Sequence, residues 1–251
     1  MRLGDMDFAL FLDIIDQLPD TTTIVPFFRG EPLLYPRFAD AMERLSTFSS
    51  VQLATNGDYV ARHREAIVES CTFVSLSLHE FRAPYHDQLF QAAQHRGVTT
   101  QVSIIDALIP DGKKAAFVSA WLQHVDRVRI YAQHTHAHYG DSRLTIHDAG
   151  QACAKPWSDM VVYWDGRVAL CCHDWDNPGL ADLNLHTVEE AWNGLPYKMV
   201  RHYHETGQRR KVKSCRHCDQ WMAAYTPNGI LGELYTCPTF GTTLNVKTSV
   251  G

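Results

Sequence analysis

Five of the seven cysteines fall between Cys153 and Cys218, with a spacing that suits a metal centre. Cys215-Arg-His-Cys218 is a Cys-x-x-Cys pair, which lets two thiolates from one turn reach the same ion or cluster. Cys153 and Cys171 lie ahead of it, on either side of a hairpin sequence that turns at Asp165-Gly166. Cys153, Cys171, Cys215 and Cys218 form one candidate ligand set. Two plainer readings compete with it. Cysteine is a common small apolar core residue, but packing does not require this clustering. A structural zinc site is the stronger rival. The zinc ribbon, however, wants two Cys-x-x-Cys knuckles, and only the second pair here is one. His134, His136 and His138 alternate and would share a face if extended, but no carboxylate or cysteine nearby in sequence completes a set. They are expected to lie in a solvated linker. Cys237 is an extra ligand or a free thiol, and the free thiol is the expectation.

The bulk composition limits the rest. Of 251 residues, 45% are hydrophobic and 20% charged, ordinary proportions for a chain that buries a core. The formal charge is −5, so there is no basic footprint for nucleic acid. The basic run Arg209-Arg210-Lys211 with Lys213 reads as a solvated loop. No apolar stretch approaches a membrane span, and no charged-then-apolar signal segment opens the sequence. An odd number of cysteines, partly paired as Cys-x-x-Cys, suits a reducing compartment and metal binding better than disulfides, so a cytoplasmic location is expected.

Strand and helix patterns alternate through the first half and position these residues. Phe8, Phe11, Leu12, Ile15 and Leu18 recur at helical spacing. Strands are expected over Thr23–Phe28, Val51–Thr55, Phe73–Leu78, Val98–Ile105 and Arg127–Ala132, with helices between them. The alternation argues for a parallel α/β sheet, whose ligand sites lie at the carboxyl ends of the strands. The polar segments Gly30-Glu31-Pro32, Asn56-Gly57 and His79-Glu80 all fall at such ends. Residues 133–152 are polar and aperiodic, which places a domain boundary near residue 140. Beyond it come a hairpin over Met160–Leu170, a capping box at Thr187-Val-Glu-Glu190 and a helix over Tyr197–Glu205. The expected domains are 1–140, 141–225 and a loose tail over 226–251.

Two stretches resemble one family, the radical S-adenosylmethionine (AdoMet) enzymes. The C-terminal stretch resembles their SPASM or twitch extension. It shows Cys153-x-x-Pro156-Trp157, Asp165-Gly166-x-Val168-x-x-Cys171-Cys172, Glu190-x-Trp192-Asn193 and Cys215-x-x-Cys218. The N-terminal stretch resembles the family's partial barrel. Gly30-Glu31-Pro32-Leu33-Leu34 is similar to the motif that holds the methionyl amino group of AdoMet. Thr55-Asn56-Gly57 and Ser75-Leu76-Ser77-Leu78-His79 are similar to the next two strand ends. The size and single four-cysteine set look most like the 2-deoxy-scyllo-inosamine dehydrogenase branch.

The resemblance implies a fold: an α/β partial (β/α) barrel lacking its first strand, plus a small cysteine-rich α+β twitch/SPASM domain. It implies AdoMet contacts from Gly30, Glu31, Pro32, Asn56, Ser77 and His79. It also implies an auxiliary 4Fe–4S cluster on Cys153, Cys171, Cys215 and Cys218. Cys171 is preferred to Cys172 because the family places its ligand after Val-x-x. The implied reaction is hydrogen abstraction from a sugar, alcohol or peptide substrate, with a flavodoxin- or ferredoxin-like electron donor and neither nucleic acid nor membrane as partner.

One departure matters. The family's Cys-x-x-x-Cys-x-x-Cys motif is absent from these 251 residues, whose first cysteine is the isolated Cys71. Three thiolates leave one iron of a 4Fe–4S cluster free to bind AdoMet. Without them the catalytic cluster is not bindable by this chain, and the chain as written is expected to be inactive. The expectation is a start past the first barrel strand, by truncation or degeneration. The complete product would be a radical AdoMet oxidoreductase or a peptide-modifying enzyme. The alternative is a non-catalytic zinc- or cluster-binding scaffold protein.

Overall fold

A computed structural model of the chain describes residues 4–132, 151–174, 179–225 and 232–237. These divide into two compact units, one of residues 19–132 with 232–237, the other of residues 4–18 with 151–174 and 179–225.

The first unit is the expected α/β alternation. The helix α1 (Phe8–Asp16) precedes it. The unit then runs β1 (Thr23–Ile24), α2 (Phe38–Leu45), β2 (Ser50–Thr55), α3 (Val60–Ser70) and β3 (Phe73–Leu78). It continues through α4 (Asp87–His95), β4 (Thr99–Ile105), α5 (Lys114–Trp121) and β5 (Arg127–Tyr131). The five strands pair in parallel in chain order. Side chains alternate across a strand, so the sheet has two unlike faces. Val51, Leu53, Val74, Leu76, Val102, Ile104, Val128 and Ile130 are fully buried on one. The other carries Gln52, Ser75, Ser77, Gln101, Ser103 and Arg129. Ser77 pairs in register with Ser103, and Ser103 with Arg129.

β1 is shorter than the expected Thr23–Phe28. Pro26 has no N–H to give a neighbouring strand. Beside it the Phe27 N–H donates locally to the Val25 carbonyl at 2.8 Å, turning the chain off the sheet. Val25 and Phe27 are left 46% and 38% exposed.

The second unit contains α6 (Lys155–Ser158), β6 (Val161–Val162), β7 (Arg167–Ala169), β8 (Ala181–Asp182), α7 (Val188–Trp192) and α8 (Leu195–Glu205). β6, β7 and β8 form an antiparallel meander. Its first turn holds Gly166 at φ +85°, a left-handed conformation that glycine adopts without strain. Thr187 and Glu190 form the expected capping box at the start of α7.

Two segments differ from the expected division of the chain. α1 packs with the second unit: Ile14 joins Val168, Leu183, Ala191 and Tyr197 in one core, and Val188 N–H donates to the Gln17 amide oxygen. The apolar stripe of α1 revealed a helix but not which core it would enter. The expected tail contains β9 (Gly232–Thr236), which pairs antiparallel with β5 and completes a six-stranded sheet. Among the described residues, no helix is long and apolar enough to cross a membrane.

β9 lies very close to its neighbour. Gly232 has φ +137°, and a Cβ there would lie 2.1 Å from the Ile130 carbonyl oxygen. Gly232→Ala is expected to destabilise the protein by roughly 1–3 kcal/mol through backbone strain and lost pairing. Urea unfolding measures this, and hydrogen exchange should show faster-exchanging amides in β5. An unchanged midpoint with unchanged exchange would mean that β9 does not depend on this glycine.

Candidate metal centre

Three chain segments carry the four candidate thiols into one cavity. Cys153 precedes α6, and its backbone N–H donates to Nδ1 of His204 on α8 at 3.1 Å. Cys171 follows the end of β7. Cys215 closes the short 3-10 turn Lys213–Cys215, and Cys218 follows within the same loop. The segments are tied together by hydrogen bonds. Ser214 Oγ donates to Asp174 Oδ1 at 2.8 Å, joining the Cys215 loop to the Cys171 loop. The Tyr163 hydroxyl donates to the Asp174 carbonyl at 2.9 Å and fixes that loop to the meander. Cys153, Cys171, Cys215 and Cys218 all line one pocket, whose walls include Leu170 and Trp221.

The electrostatics indicate what the cavity lacks. Burial, with neighbouring cysteines adding to it, pushes the Cys171 and Cys215 thiols well above their ordinary range and the Cys218 thiol up to about 12. Burial also raises Cys153. Each thiol would ionise at the others' expense, so the set favours a cationic occupant that supplies the missing charge. Among the described residues, no three His, Cys, Asp or Glu side chains converge closely enough to hold a single metal ion. Zinc binds thiolates at about 2.3 Å and needs them nearly touching. Four thiols that line one pocket without three of them converging on a single ion fit a multi-iron cluster better.

Three residues that matter here were missed or misread in sequence. Arg209, in the run read as a solvated loop, is only 3% exposed. Its Nη1 donates to the Cys215 carbonyl at 2.8 Å and to the Cys218 carbonyl at 3.5 Å, and its guanidinium lies 4.9 Å from the Trp221 ring centroid. His204 is 2% exposed and lines the cavity. Burial, with Arg209 nearby, lowers its pKa to about 4, so the ring is neutral. Asp174 is buried and serves as the tie to Ser214. The position of Arg209 six residues before a Cys-x-x-Cys was the available signal, and its basic neighbours obscured it. Cys172 does not line the cavity. Its thiol interacts with Lys155, whose pKa is held at about 12, against its burial, by Cys172 and Asp159. Cys237 follows β9, and its N–H donates to the Asp126 carbonyl at 2.9 Å. His134, His136 and His138 lie outside the described residues.

In the first unit, the candidate AdoMet residues occupy the carboxyl ends of three adjacent strands. Gly30 has φ +87° in the turn before Glu31. The Glu31 carboxylate spans two of these ends. Oε1 accepts from Leu33 N–H at 3.1 Å and from the Thr55 hydroxyl at 2.6 Å, and Oε2 accepts from Asn56 N–H at 2.8 Å. Pro32 opens the 3-10 turn Pro32–Leu34 that Glu31 caps. Ser77 Oγ lies 3.5 Å from Ser103 Oγ near the end of β3, and His79 is exposed just beyond it. The structure brings Glu31 and Asn56 into direct contact and sets Ser77 and His79 on the neighbouring strand and its exit.

Comparison with known proteins agrees with this geometry. Residues 153–219 match the family model of SPASM, an iron-sulfur cluster-binding domain. No curated protein matches the chain in sequence. The fold is similar to that of BtrN in complex with AdoMet and 2-DOIA, with a TM-score of 0.63 and 17% identity over 87% of this chain and 82% of that one. It is also similar to SuiB of Streptococcus suis bound to S-adenosylmethionine, with a TM-score of 0.60 and 10% identity over 92% and 70% of the two chains. SuiB bound to precursor peptide SuiA gives a TM-score of 0.61 at 10% identity over 92% and 69%. At these identities the likeness is one of fold. The resemblance to radical AdoMet enzymes with a SPASM domain is borne out.

Arg209 offers a direct test of what holds the Cys-x-x-Cys loop. Arg209→Met keeps the bulk but leaves the Cys215 carbonyl without this donor, at an expected cost of roughly 1–3 kcal/mol. Urea unfolding of the metal-free protein measures it. Equal midpoints for the variant and the parent would show that the guanidinium does not organise the loop.

Proposed function

We propose that this chain supplies the AdoMet-contacting sheet and the auxiliary 4Fe–4S site of a radical AdoMet/SPASM-type iron-sulfur enzyme. The observation that carries the reading is that four thiols from three separate segments line one pocket, while among the described residues no three His, Cys, Asp or Glu side chains converge on a single ion. Cys153, Cys171, Cys215 and Cys218 are the proposed ligands. Such a cluster, with every iron held by the protein, supplies electron transfer and leaves no iron position for substrate. Arg209 holds the carbonyls of Cys215 and Cys218, and Ser214 with Asp174 holds the Cys171 loop, so the ligand positions are set by the protein.

Glu31, Gly30, Pro32, Asn56, Ser77 and His79 are the proposed AdoMet contacts. The sulfonium nucleotide carries an ammonium group, and a carboxylate at a strand end suits it. Oε2 of Glu31 has one hydrogen bond from Asn56, which leaves acceptor capacity on that oxygen. The proposed reaction class is hydrogen abstraction from a sugar, alcohol or peptide substrate. The similar folds divide in the same way, since BtrN is complexed with 2-DOIA and SuiB with a precursor peptide. The proposed partners are that substrate and a small reductant protein of the flavodoxin or ferredoxin kind.

The cleavage of AdoMet itself is not assigned to any residue described here. Cys71 is the only cysteine before Cys153. It is buried behind α3, and burial raises its pKa to about 12, which marks an inert core thiol. The second reading is a non-catalytic zinc- or cluster-binding scaffold.

Two measurements separate these readings. Anaerobic reconstitution with iron and sulfide is expected to load about four irons per chain, and Cys215→Ala to lose them. Tight zinc binding with no iron uptake would overturn the cluster. Calorimetric titration with AdoMet is expected to show binding that weakens about tenfold, or roughly 1.4 kcal/mol, in Glu31→Gln. Loaded cluster without any AdoMet binding would favour the scaffold.

A further inference from the structure

The ring of His204 has two nitrogens with different fates. Nδ1 accepts the backbone N–H of Cys153 at 3.1 Å, which places the ring proton on Nε2. Nε2 is buried and has no hydrogen-bond partner among the described residues. The side chain is 2% exposed, lines the cavity of the four cysteines and meets the Trp157 ring edge-on at 6.1 Å between centroids. A buried N–H donor without an acceptor is rare in a folded protein and points to a group that belongs there.

We propose that His204 donates its Nε2 hydrogen to a sulfur of the bound cluster and thereby raises the cluster's reduction potential. The inference rests on the cluster reading above and assigns one residue a tuning role within it. Reduction adds negative charge to the cluster and its thiolates, so a donor hydrogen bond to sulfur stabilises the reduced form more than the oxidised form. The same ring is fixed by the backbone of a ligand, Cys153, so donor and ligand move together. His204 is a positioning and tuning residue that leaves the irons to the four thiolates.

His204→Asn isolates the effect. The asparagine side-chain oxygen reaches the place of Nδ1 and can still accept from Cys153, while nothing replaces the Nε2 donor. The reconstituted variant is expected to hold the same iron as the parent but to reduce at a more negative potential in an EPR-monitored redox titration. The expected shift is about tenfold in the ratio of reduced to oxidised cluster at fixed poise, about 59 mV for a one-electron couple. Equal potentials with equal iron overturn this inference and leave the cluster reading intact. Failure of the parent protein to take up iron overturns both. If the variant does not load, the parent labelled with ¹⁵N-histidine decides. Pulsed EPR of its reduced cluster is expected to show a coupled ring nitrogen, and the absence of any such coupling overturns the inference.

Discussion

Four thiols gathered where none can ionise alone set the terms for the whole C-terminal unit. Burial raises Cys171, Cys215 and Cys218, and neighbouring cysteines raise them again. Arg209 is buried beside them, with its Nη1 directed at the carbonyls of the Cys-x-x-Cys loop. That interaction shapes the loop before any metal arrives, yet one guanidinium does not balance four thiolates. The rest of the charge must come with the occupant, so cluster binding and final stability are linked. The ties that converge on the cavity, Ser214 to Asp174 and Cys153 to His204, hold the ligand segments in place until then.

The first unit uses a charge differently. Glu31 lies at the end of the sheet, where an anion would be costly if left bare. It accepts from Leu33, Thr55 and Asn56, so it builds the turn and joins the exits of β1 and β2. A residue that reads as a ligand contact in sequence is therefore also a brace. Loss of its negative charge alters the shape of the site as well as its chemistry. The opposite fate befalls Cys71, reactive by type alone but here a buried helix cap whose N–H bonds back to the Ile67 carbonyl.

Much of this was legible in the sequence, and the illegible parts share a cause. Hydrophobic alternation located β2, β3, β4 and β5, because a strand buried between helices must be apolar at every second position. The Thr187–Glu190 box and the Asp165-Gly166 turn are local chemistry and appear where their residues do. The failures are long-range. The stripe of α1 could have packed on any core, and it packs against Val168 and Tyr197. The segment Gly232–Thr236 has little apolar pattern of its own and becomes a strand because β5 offers it an edge. Local turning after Val25 shortens β1 more than the one donor missing at Pro26 requires. Arg209 looked like its solvated neighbours until the Cys-x-x-Cys carbonyls gave it acceptors.

The contrast between Cys171 and Cys172 shows how the backbone selects ligands. They are adjacent where the chain turns after β7, with the Asp174 N–H donating to the Cys171 carbonyl at 3.0 Å. Cys171 faces the cavity with Cys153, Cys215 and Cys218, while Cys172 interacts with Lys155. The two thiols are alike in chemistry and nearly alike in burial. What separates them is the turn over 171–174, which the Tyr163 hydroxyl holds at the Asp174 carbonyl and Ser214 Oγ holds at Asp174 Oδ1. The ties that hold this turn come from Tyr163, Asp174 and Ser214, none of them in the proposed ligand set, and they thus determine which sulfur the pocket receives.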